Sequence, residues 1–340
     1  MPYNIALQFE DGVTRIIQCH PDELVCDAAY RAKINIPLDC RDGACGTCKC
    51  HCESGTFTMG EYIEDALTED EAAQGHVLAC QMKATSDCVI RVPASSAACK
   101  TAVGTSGGKL TRIARDSAST VGFSLESDQP LAFLPGQYVN LQVPGSKETR
   151  SYSFSSAPGQ TELSFLIRDV PDGLMSSYMR SKAQAGDFMM FVGPYGSFYL
   201  RPPTRPIVML AGGTGLAPFL SMLLWLKTHP TDQPILLGYG VNTNDDLVEL
   251  DRLAELKAAL PTLEFFTCVV SPESGHPRLG YVTDHLQPAD LRGGEADVYV
   301  CGPPPMVEGV RQWMQRSGIT PKNFYFEKFS AAQHNAVAAP

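Results

Sequence analysis

Long apolar runs, an export signal and a basic surface are all missing from this 340-residue chain. Its longest strongly apolar stretch, from Phe219 to Leu226, is far shorter than the ~20 residues that a membrane span needs. The first residues lack the basic start and apolar centre of a signal peptide, so we expect a cytoplasmic protein. The formal net charge of −10 disfavours a nucleic-acid binder, which needs a basic face.

Cysteine is nearly absent from the last 240 residues, since ten of the twelve cysteines lie in the first 100. Without an export signal a disulfide framework is not expected, and a metal site is favoured instead. The same 100 residues hold 8 Lys/Arg against 15 Asp/Glu. Such an acidic surface either stays solvated or steers a basic partner protein towards it.

Composition along the chain predicts three domains. Residues 93–108 are small and turn-forming without an apolar period, which indicates a linker at 96–108 after a first domain at 1–95. Before it we predict two strands and a helix capped by Asp22, which runs from about Glu23 to Lys33. Residues 109–203 alternate in short runs between Pro/Gly turns, which is typical of a small β-barrel.

Residues 204–330 follow another pattern, in which fully apolar strands alternate with helices. This pattern predicts an α/β domain with a parallel sheet. The predicted elements are strands at 207–211, 235–240, 265–270 and 298–301, with helices at 216–228 and near 250–260. Residues 331–340 are expected to form a loose tail.

Four cysteines have the spacing C-x4-C-x2-C…C, which is the plant-type pattern for a [2Fe–2S] cluster: Cys40, Cys45, Cys48 and Cys80. Gly43 and Gly46 let the loop curl so that its amides can approach the sulfurs. A structural zinc site is the alternative, but zinc usually takes two C-x2-C pairs, and Cys80 has no such neighbour.

Residues 1–95 therefore resemble a plant-type ferredoxin with a β-grasp fold. The resemblance implies that the four cysteines of this spacing are the cluster ligands. Cys50 and Cys52 lie close to the loop and are either alternative ligands or, as we favour, buried strand residues.

The string Arg150-Ser151-Tyr152-Ser153 combines a cation for a phosphate, a flat aromatic surface and hydroxyl groups on one predicted strand. In an ideal strand Tyr152 and Ser153 point to opposite faces, unless the strand ends or bends there. The string precedes a glycine-turn α/β domain, and this order resembles the ferredoxin–NADP reductase superfamily over about residues 105–330.

That resemblance implies bound FAD and assigns roles to several residues. Arg150 would bind the pyrophosphate, Tyr152 would lie against the isoalloxazine, and Ser153 would lie near flavin N5, with Ser151 in the same string. The later string Gly173-Leu174-Met175-Ser176 fits the superfamily's phosphate turn at a helix N-terminus. Ser176 is alternatively a helix cap.

Two glycine turns follow apolar strands in the last domain. The first is Gly212-Gly213-Thr214-Gly215 and the second begins at Cys301-Gly302. Neither G-x-G-x-x-G nor a P-loop pattern is satisfied, but turns at two strand ends would frame the crevice where α/β sheets bind ligands. By resemblance these are NAD(P) signatures, with Thr214 and Cys301 beside the nicotinamide. Cys301 is alternatively a small packing residue.

The stretch 238–251 has no basic residue to meet a 2′-phosphate, which favours NADH, and Asp245 or Asp246 is the candidate acceptor for the ribose hydroxyls. Near the C-terminus, aromatics alternate in Phe324-Tyr325-Phe326-Glu327-Lys328-Phe329, which is also typical of an edge strand. By resemblance Phe329 covers the flavin and Glu327 lies near N5.

The complete order is similar to that of reductase components of two-component aromatic-ring-hydroxylating dioxygenases, above all the benzoate type. It implies electron flow from NADH to FAD, to the cluster, and on to a terminal Rieske non-haem iron oxygenase. Reductases of di-iron phenol or methane monooxygenases share this order and remain the alternative. A plain electron carrier would not need the nicotinamide strings, and a redox-sensing protein would oxidise NADH poorly.

Overall fold

The computed structural model of the chain describes residues 1–38, 40–44, 46–100 and 103–329. They form two compact units: Met1–Gly104 together with Gly193–Ser197, and Thr105–Val192 together with the chain from Phe198 onward. The predicted ligand Cys45 and the predicted tail at 331–340 lie outside the described residues. No helix within the described ranges has both the length and the apolar character needed to cross a membrane.

The described residues of Met1–Lys100 form seven strands and two α-helices. They are β1 (Tyr3–Phe9), β2 (Thr14–Cys19), α1 (Val25–Arg31), β3 (Lys49–Ser54), β4 (Phe57–Met59), α2 (Glu69–Ala73), β5 (His76–Leu78), β6 (Met82–Ala84) and β7 (Cys88–Val92). Five strands form a mixed sheet in the order β2-β1-β7-β3-β5. Alternate residues of β1, such as Ile5 and Leu7, are fully buried, as are Ala28 and Ala29 on α1. The predicted β-grasp ferredoxin domain is confirmed.

The predicted helix cap at Asp22 is wrong. Helix α1 begins at Val25, and its N-cap residue is Leu24, which makes no side-chain cap hydrogen bond. Asp22 has a φ of 66° and therefore adopts a left-handed turn conformation two residues before Leu24. A capping side chain must leave extended backbone directly before the first helical residue, and Asp22 does not meet that condition.

The barrel consists of β8 (Gly104–Arg115), β9 (Thr120–Ser127), β10 (Tyr138–Gln142), β11 (Thr149–Ser153), β12 (Glu162–Arg168), helix α3 (Leu174–Ser181) and β13 (Phe188–Tyr195). Its strand order is β11-β10-β13-β8-β9-β12, and a bridge between Phe154 and Phe165 joins the two outer strands. The predicted barrel is confirmed, but β8 and β9 were not predicted. The segment predicted as a linker contains a helical turn, Ala98–Lys100, and the start of β8.

The α/β part follows with β14 (Ile207–Gly212), α4 (Leu216–Thr228), β15 (Ile235–Val241), α5 (Leu250–Ala259), β16 (Leu263–Val269), α6 (Val282–His285), β17 (Asp297–Gly302), α7 (Pro304–Arg316) and β18 (Asn323–Lys328). All neighbours pair in parallel in the order β16-β15-β14-β17-β18. The strand order reverses between β14 and β17, and ligands bind at such a switch point. The predicted parallel-sheet domain is confirmed, and β18 is an edge strand.

Candidate functional site

The predicted cluster ligands that the structure describes come together in the first unit. Cys80 is within hydrogen-bonding distance of both Cys40 and Cys48. The pKa of Cys80 is raised, and the largest cause is its contact with Cys40, with the contact with Cys48 second. The hydrogen bond from Cys80 lowers the pKa of Cys48. Cys48 and Cys80 are almost completely buried. The three thiols thus converge although Cys80 comes from a distant segment.

The cluster loop is held by glycines that tolerate no side chain. Gly43 has a φ of 80°, and a Cβ there would lie 2.5 Å from the Glu61 carbonyl oxygen. Gly46 has a φ of 73° and would place its Cβ 3.1 Å from the Ala66 carbonyl oxygen. From the other side the Gln81 side chain donates to the Arg41 carbonyl oxygen at 3.1 Å. The loop is therefore closely packed around the cysteines.

The converging thiols fit an iron–sulfur cluster, which the spacing of the four cysteines predicts. Among the described residues, no three His, Cys, Asp or Glu side chains form a site for one metal ion. A [2Fe–2S] cluster instead distributes thiolates over two irons. Cys50 is buried on β3 and Cys52 is half-buried there, with its thiol donating to the Ser54 carbonyl oxygen at 3.3 Å.

On β11 the predicted flavin residues alternate between the two faces of the strand. Ser153 is 3% exposed, while Tyr152 packs against the barrel core from the other face. Burial raises the pKa of Tyr152, so its hydroxyl stays protonated. Arg150 contacts Glu148 at 3.3 Å and donates to the Thr149 carbonyl oxygen at 2.7 Å. The strand includes Ser153, and so Tyr152 and Ser153 do point apart.

The predicted phosphate turn lies at the start of α3. Gly173 is the N-cap residue, and the amides of the first helical turn have no acceptor within the helix. Ser176 does not cap the helix: its hydroxyl accepts from the Val170 amide at 2.9 Å and donates to the Arg168 carbonyl oxygen at 3.3 Å. The helix-cap interpretation of Ser176 is therefore wrong, and this side chain stabilises the turn before the helix.

Three predicted catalytic residues meet at one carboxylate oxygen. Ser153 donates to Oε2 of Glu327 at 3.1 Å, and the Cys301 thiol lies 3.9 Å from the same oxygen. They come from β11, β18 and β17, and Cys301 is the register partner of Glu327. Burial, followed by the nearby Glu327 charge, raises the pKa of Cys301 well above its usual value. This shift favours the protonated form of the Cys301 thiol.

Phe329, the fourth predicted catalytic residue, directly follows β18. Its amide donates to the Gly302 carbonyl oxygen at 2.8 Å, and its ring packs against the core on one side of the parallel sheet. Phe329 therefore lies at the same strand ends as Cys301.

The two glycine turns pack directly on each other. A Cβ on Gly215 would lie 2.2 Å from the Cys301 carbonyl oxygen, and one on Gly212 would lie 3.5 Å from the Gly302 Cα. Gly213 has a φ of 57° and open space around it. The turn therefore needs glycine for two reasons, close approach at Gly215 and backbone conformation at Gly213, while Thr214 lies between them.

The two candidate ribose acceptors differ in availability. Asp246 accepts from the Thr243 amide at 3.1 Å and the Thr243 hydroxyl at 2.8 Å, and also from the Ser119 hydroxyl. Burial alone would raise the pKa of Asp246, but these hydrogen bonds outweigh it and lower the pKa. Asp245 is exposed. Asp246 is thus occupied within the protein, which leaves Asp245 as the candidate.

An apolar patch at the same edge of the sheet was missed by the sequence analysis. Val270, Leu279 and Tyr281 are 38%, 45% and 65% exposed. The amide of Ser271 donates to the Asn242 carbonyl oxygen at 2.8 Å, so this loop lies beside the stretch that carries Asp245. The only sequence signal was that these residues follow a predicted strand.

Three family models match the chain in the order of these sites. They are a 2Fe-2S iron-sulfur cluster binding domain at residues 8–85, an oxidoreductase FAD-binding domain at 108–199 and an oxidoreductase NAD-binding domain at 209–312. The cofactors predicted from the sequence, a [2Fe–2S] cluster, FAD and NAD, are confirmed.

Among solved structures, the Amycolatopsis cytochrome P450 reductase GcoB has a TM-score of 0.72 and 31% identity, covering 97% of this chain and 100% of that one. Among curated proteins, the toluate 1,2-dioxygenase electron transfer component of Pseudomonas putida is 54% identical, over 98% of this chain and 100% of that protein. The 2-halobenzoate 1,2-dioxygenase electron transfer component of Burkholderia cepacia is 52% identical with the same coverage. The chain therefore belongs to the family of dioxygenase electron transfer components, flavin and iron–sulfur oxidoreductases that combine a ferredoxin domain with FAD- and NAD-binding domains.

Proposed function

We propose that the chain is the reductase component of a benzoate-type aromatic 1,2-dioxygenase and delivers electrons from NADH to a terminal Rieske oxygenase. The observation that carries this proposal is the meeting of Ser153, Cys301 and Glu327 at one carboxylate oxygen, beside the two glycine turns. The identity of more than 50% to two benzoate-class relatives supports the choice of system. We assign the protein to the cytoplasm, where its many cysteines would stay reduced.

Bound FAD would supply two-electron hydride chemistry with NADH and one-electron chemistry with a bound [2Fe–2S] cluster. The chain binds and orients these groups. Arg150 and the first turn of α3 would bind the flavin phosphates, and Tyr152 would lie against the ring. Cys40, Cys45, Cys48 and Cys80 would hold the cluster.

Proton handling falls to Ser153 and Glu327. A serine hydroxyl has a single proton, and in this structure it is donated to Oε2 of Glu327 at 3.1 Å. Ser153 could therefore donate a hydrogen bond to flavin N5 only by turning away from Glu327, or by accepting a hydrogen bond from a protonated Glu327 carboxyl. This pair would exchange a proton between the flavin side and the carboxylate, while the neutral Cys301 thiol fills the space beside them.

The proposal is tested by reconstitution with purified oxygenases. The FAD- and cluster-loaded protein should support NADH-dependent dihydroxylation by a benzoate- or toluate-class Rieske oxygenase. A di-iron monooxygenase, the alternative left by the sequence, is the second candidate partner, and the propane 2-monooxygenase reductase component of Rhodococcus jostii, which serves a monooxygenase, is 32% identical over 91% of this chain. Faster turnover with a di-iron hydroxylase than with any benzoate-class oxygenase would refute the proposal.

The acidic first 100 residues suggest how the partner is bound. We propose that they face a basic surface of the oxygenase, so turnover should fall as salt rises and screens the attraction. The matched control is ferricyanide reduction by the same preparation, which needs no protein partner. Equal salt dependence of the two reactions would contradict this docking surface.

A further inference from the structure

Arg201 lies between two tyrosine rings and is only 9% exposed. Its guanidinium carbon is 3.7 Å from the centre of the Tyr199 ring and 4.3 Å from that of Tyr325. Nη1 donates to the Tyr199 carbonyl oxygen at 2.8 Å, and the Arg201 amide donates to the Tyr299 hydroxyl at 3.1 Å. Arg201 therefore connects the segment that follows the barrel to both β17 and β18.

Strand β18 is an edge strand of the parallel sheet, with β17 as its paired neighbour, so its position relative to the barrel depends on contacts that reach outside the sheet. Tyr325 and Glu327 are alternate residues of β18 and so point to the same face. The opposite face bears Phe324 and Phe326, and the Arg311 guanidinium lies 5.6 Å and 4.6 Å from these two rings. An arginine thus contacts aromatic rings on each face of the strand.

We propose that Arg201 is a positioning residue for hydride transfer: by stacking on Tyr325 it aligns β18 with the barrel and keeps Glu327 within hydrogen-bonding distance of Ser153. The inference rests on the proposed function, in which Ser153 and Glu327 handle the proton at the flavin. Ser153 lies on strand β11 of the barrel and Glu327 on strand β18 of the parallel sheet. Their 3.1 Å contact therefore requires the barrel and the sheet to be aligned. A shift of β18 by about 1 Å would break this hydrogen bond.

The nearest alternative is that Arg201 only stabilises the fold. Arg201→Lys keeps the positive charge but has no planar group to stack on the two rings. A folded Arg201→Lys protein with a lower kcat therefore indicates positioning, whereas a purely structural role would lower stability and leave kcat unchanged. Arg311→Met is the matched control, since it removes arginine–aromatic contacts from the same strand on the face that bears Phe324 and Phe326. Arg201→Met removes both the charge and the planar group. All three variants are made in the full chain loaded with FAD and cluster, and far-ultraviolet circular dichroism verifies folding.

Two measurements are compared across the variants. The first is kcat and KM for NADH with ferricyanide as acceptor; Arg201→Lys and Arg201→Met should lower kcat on the order of 10- to 100-fold. The KM for NADH should change less than about threefold, because Arg201 is not in the nucleotide turns.

The second measurement is the labelling rate of the buried Cys301 thiol by mass spectrometry, which should rise in both Arg201 variants as β18 moves away. Arg311→Met should leave kcat and Cys301 labelling at wild-type values.

Wild-type kcat in Arg201→Lys would overturn the proposal, as would an equal loss of kcat in Arg311→Met. If Arg201→Met does not fold, Tyr325→Leu removes the same stacking contact from the strand side and should reproduce the loss of kcat. Wild-type kcat in Tyr325→Leu would overturn the proposal as well. The proposed function fails separately, if the loaded wild-type protein does not oxidise NADH.

Discussion

Replacing Gly215 with alanine should damage nucleotide binding by steric contact alone. Gly215 has a φ of −60°, which any residue adopts, so the backbone conformation does not oppose the change. The new Cβ would lie 2.2 Å from the Cys301 carbonyl oxygen and 2.7 Å from its carbon. Ordinary contacts are near 3.5 Å, so the first glycine turn must separate from β17 by about 1 Å.

Two costs follow from that displacement. Forcing extra volume into a packed site typically destabilises a protein by about 1–3 kcal/mol. If the two glycine turns frame the nicotinamide site, as the sequence predicts, a misplacement of about 1 Å should also reduce kcat/KM for NADH on the order of 100-fold. The assay is NADH–ferricyanide turnover by the FAD-loaded protein, together with its thermal midpoint.

Gly309→Ala is the matched control, since Gly309 lies within α7 and a Cβ there would have nothing within 4 Å. Alanine in a helix interior is more favourable than glycine by about 0.5–1 kcal/mol, so the thermal midpoint should rise slightly and the kinetics should not change. A kcat/KM for Gly215→Ala equal to that of Gly309→Ala would refute the argument that the two turns act as one packed unit.

Three further predictions concern the cofactors. NADH should be preferred to NADPH in kcat/KM, because Arg252, the only basic residue in 238–252, already donates to the Ser155 carbonyl oxygen at 3.1 Å; equal values would contradict this. Cys80→Ser should lose the cluster bands in the visible spectrum and partner turnover while keeping NADH–ferricyanide activity, and full oxygenase support without a cluster would show that the flavin feeds the partner directly. Phe329→Ala should change nucleotide affinity or flavin fluorescence if the ring covers the flavin, and wild-type values for both would remove that assignment.

Much of the parallel-sheet part was predictable because its three central strands are mostly buried on both faces. Ile207–Gly212 is a run of apolar residues and glycine, and the following helix, Leu216–Thr228, begins and ends where its sequence pattern indicates. The barrel was harder to predict. Strand Gly104–Arg115 opens with glycine, threonine and serine and is mostly half-exposed or exposed, so the segment resembles a linker. This segment forms a strand because it pairs with Thr120–Ser127, and its own residues do not indicate that pairing.

The candidate site shows the same limit. Ser153, Cys301 and Glu327 were each indicated by a short string, yet no string states that they share one oxygen, because Ser153 and Glu327 are 174 positions apart. Asp246 matched the expected residue type, but a tertiary hydrogen bond from Ser119 and a local one from Thr243 occupy it. Arg201 gave no signal, since an arginine beside two prolines is typical of a surface loop.

The late position of β18 in the chain has a consequence for biosynthesis. Ser153 and Cys301 leave the ribosome before Glu327, and Glu327 reaches its place only when Asn323–Lys328 pairs with β17. A chain interrupted after Gly302 but before residue 323 contains the barrel strands and four parallel strands but lacks the carboxylate. Partly synthesised or truncated products should therefore bind flavin without oxidising NADH efficiently, which protects the cell from losing reducing equivalents through incomplete copies of the protein.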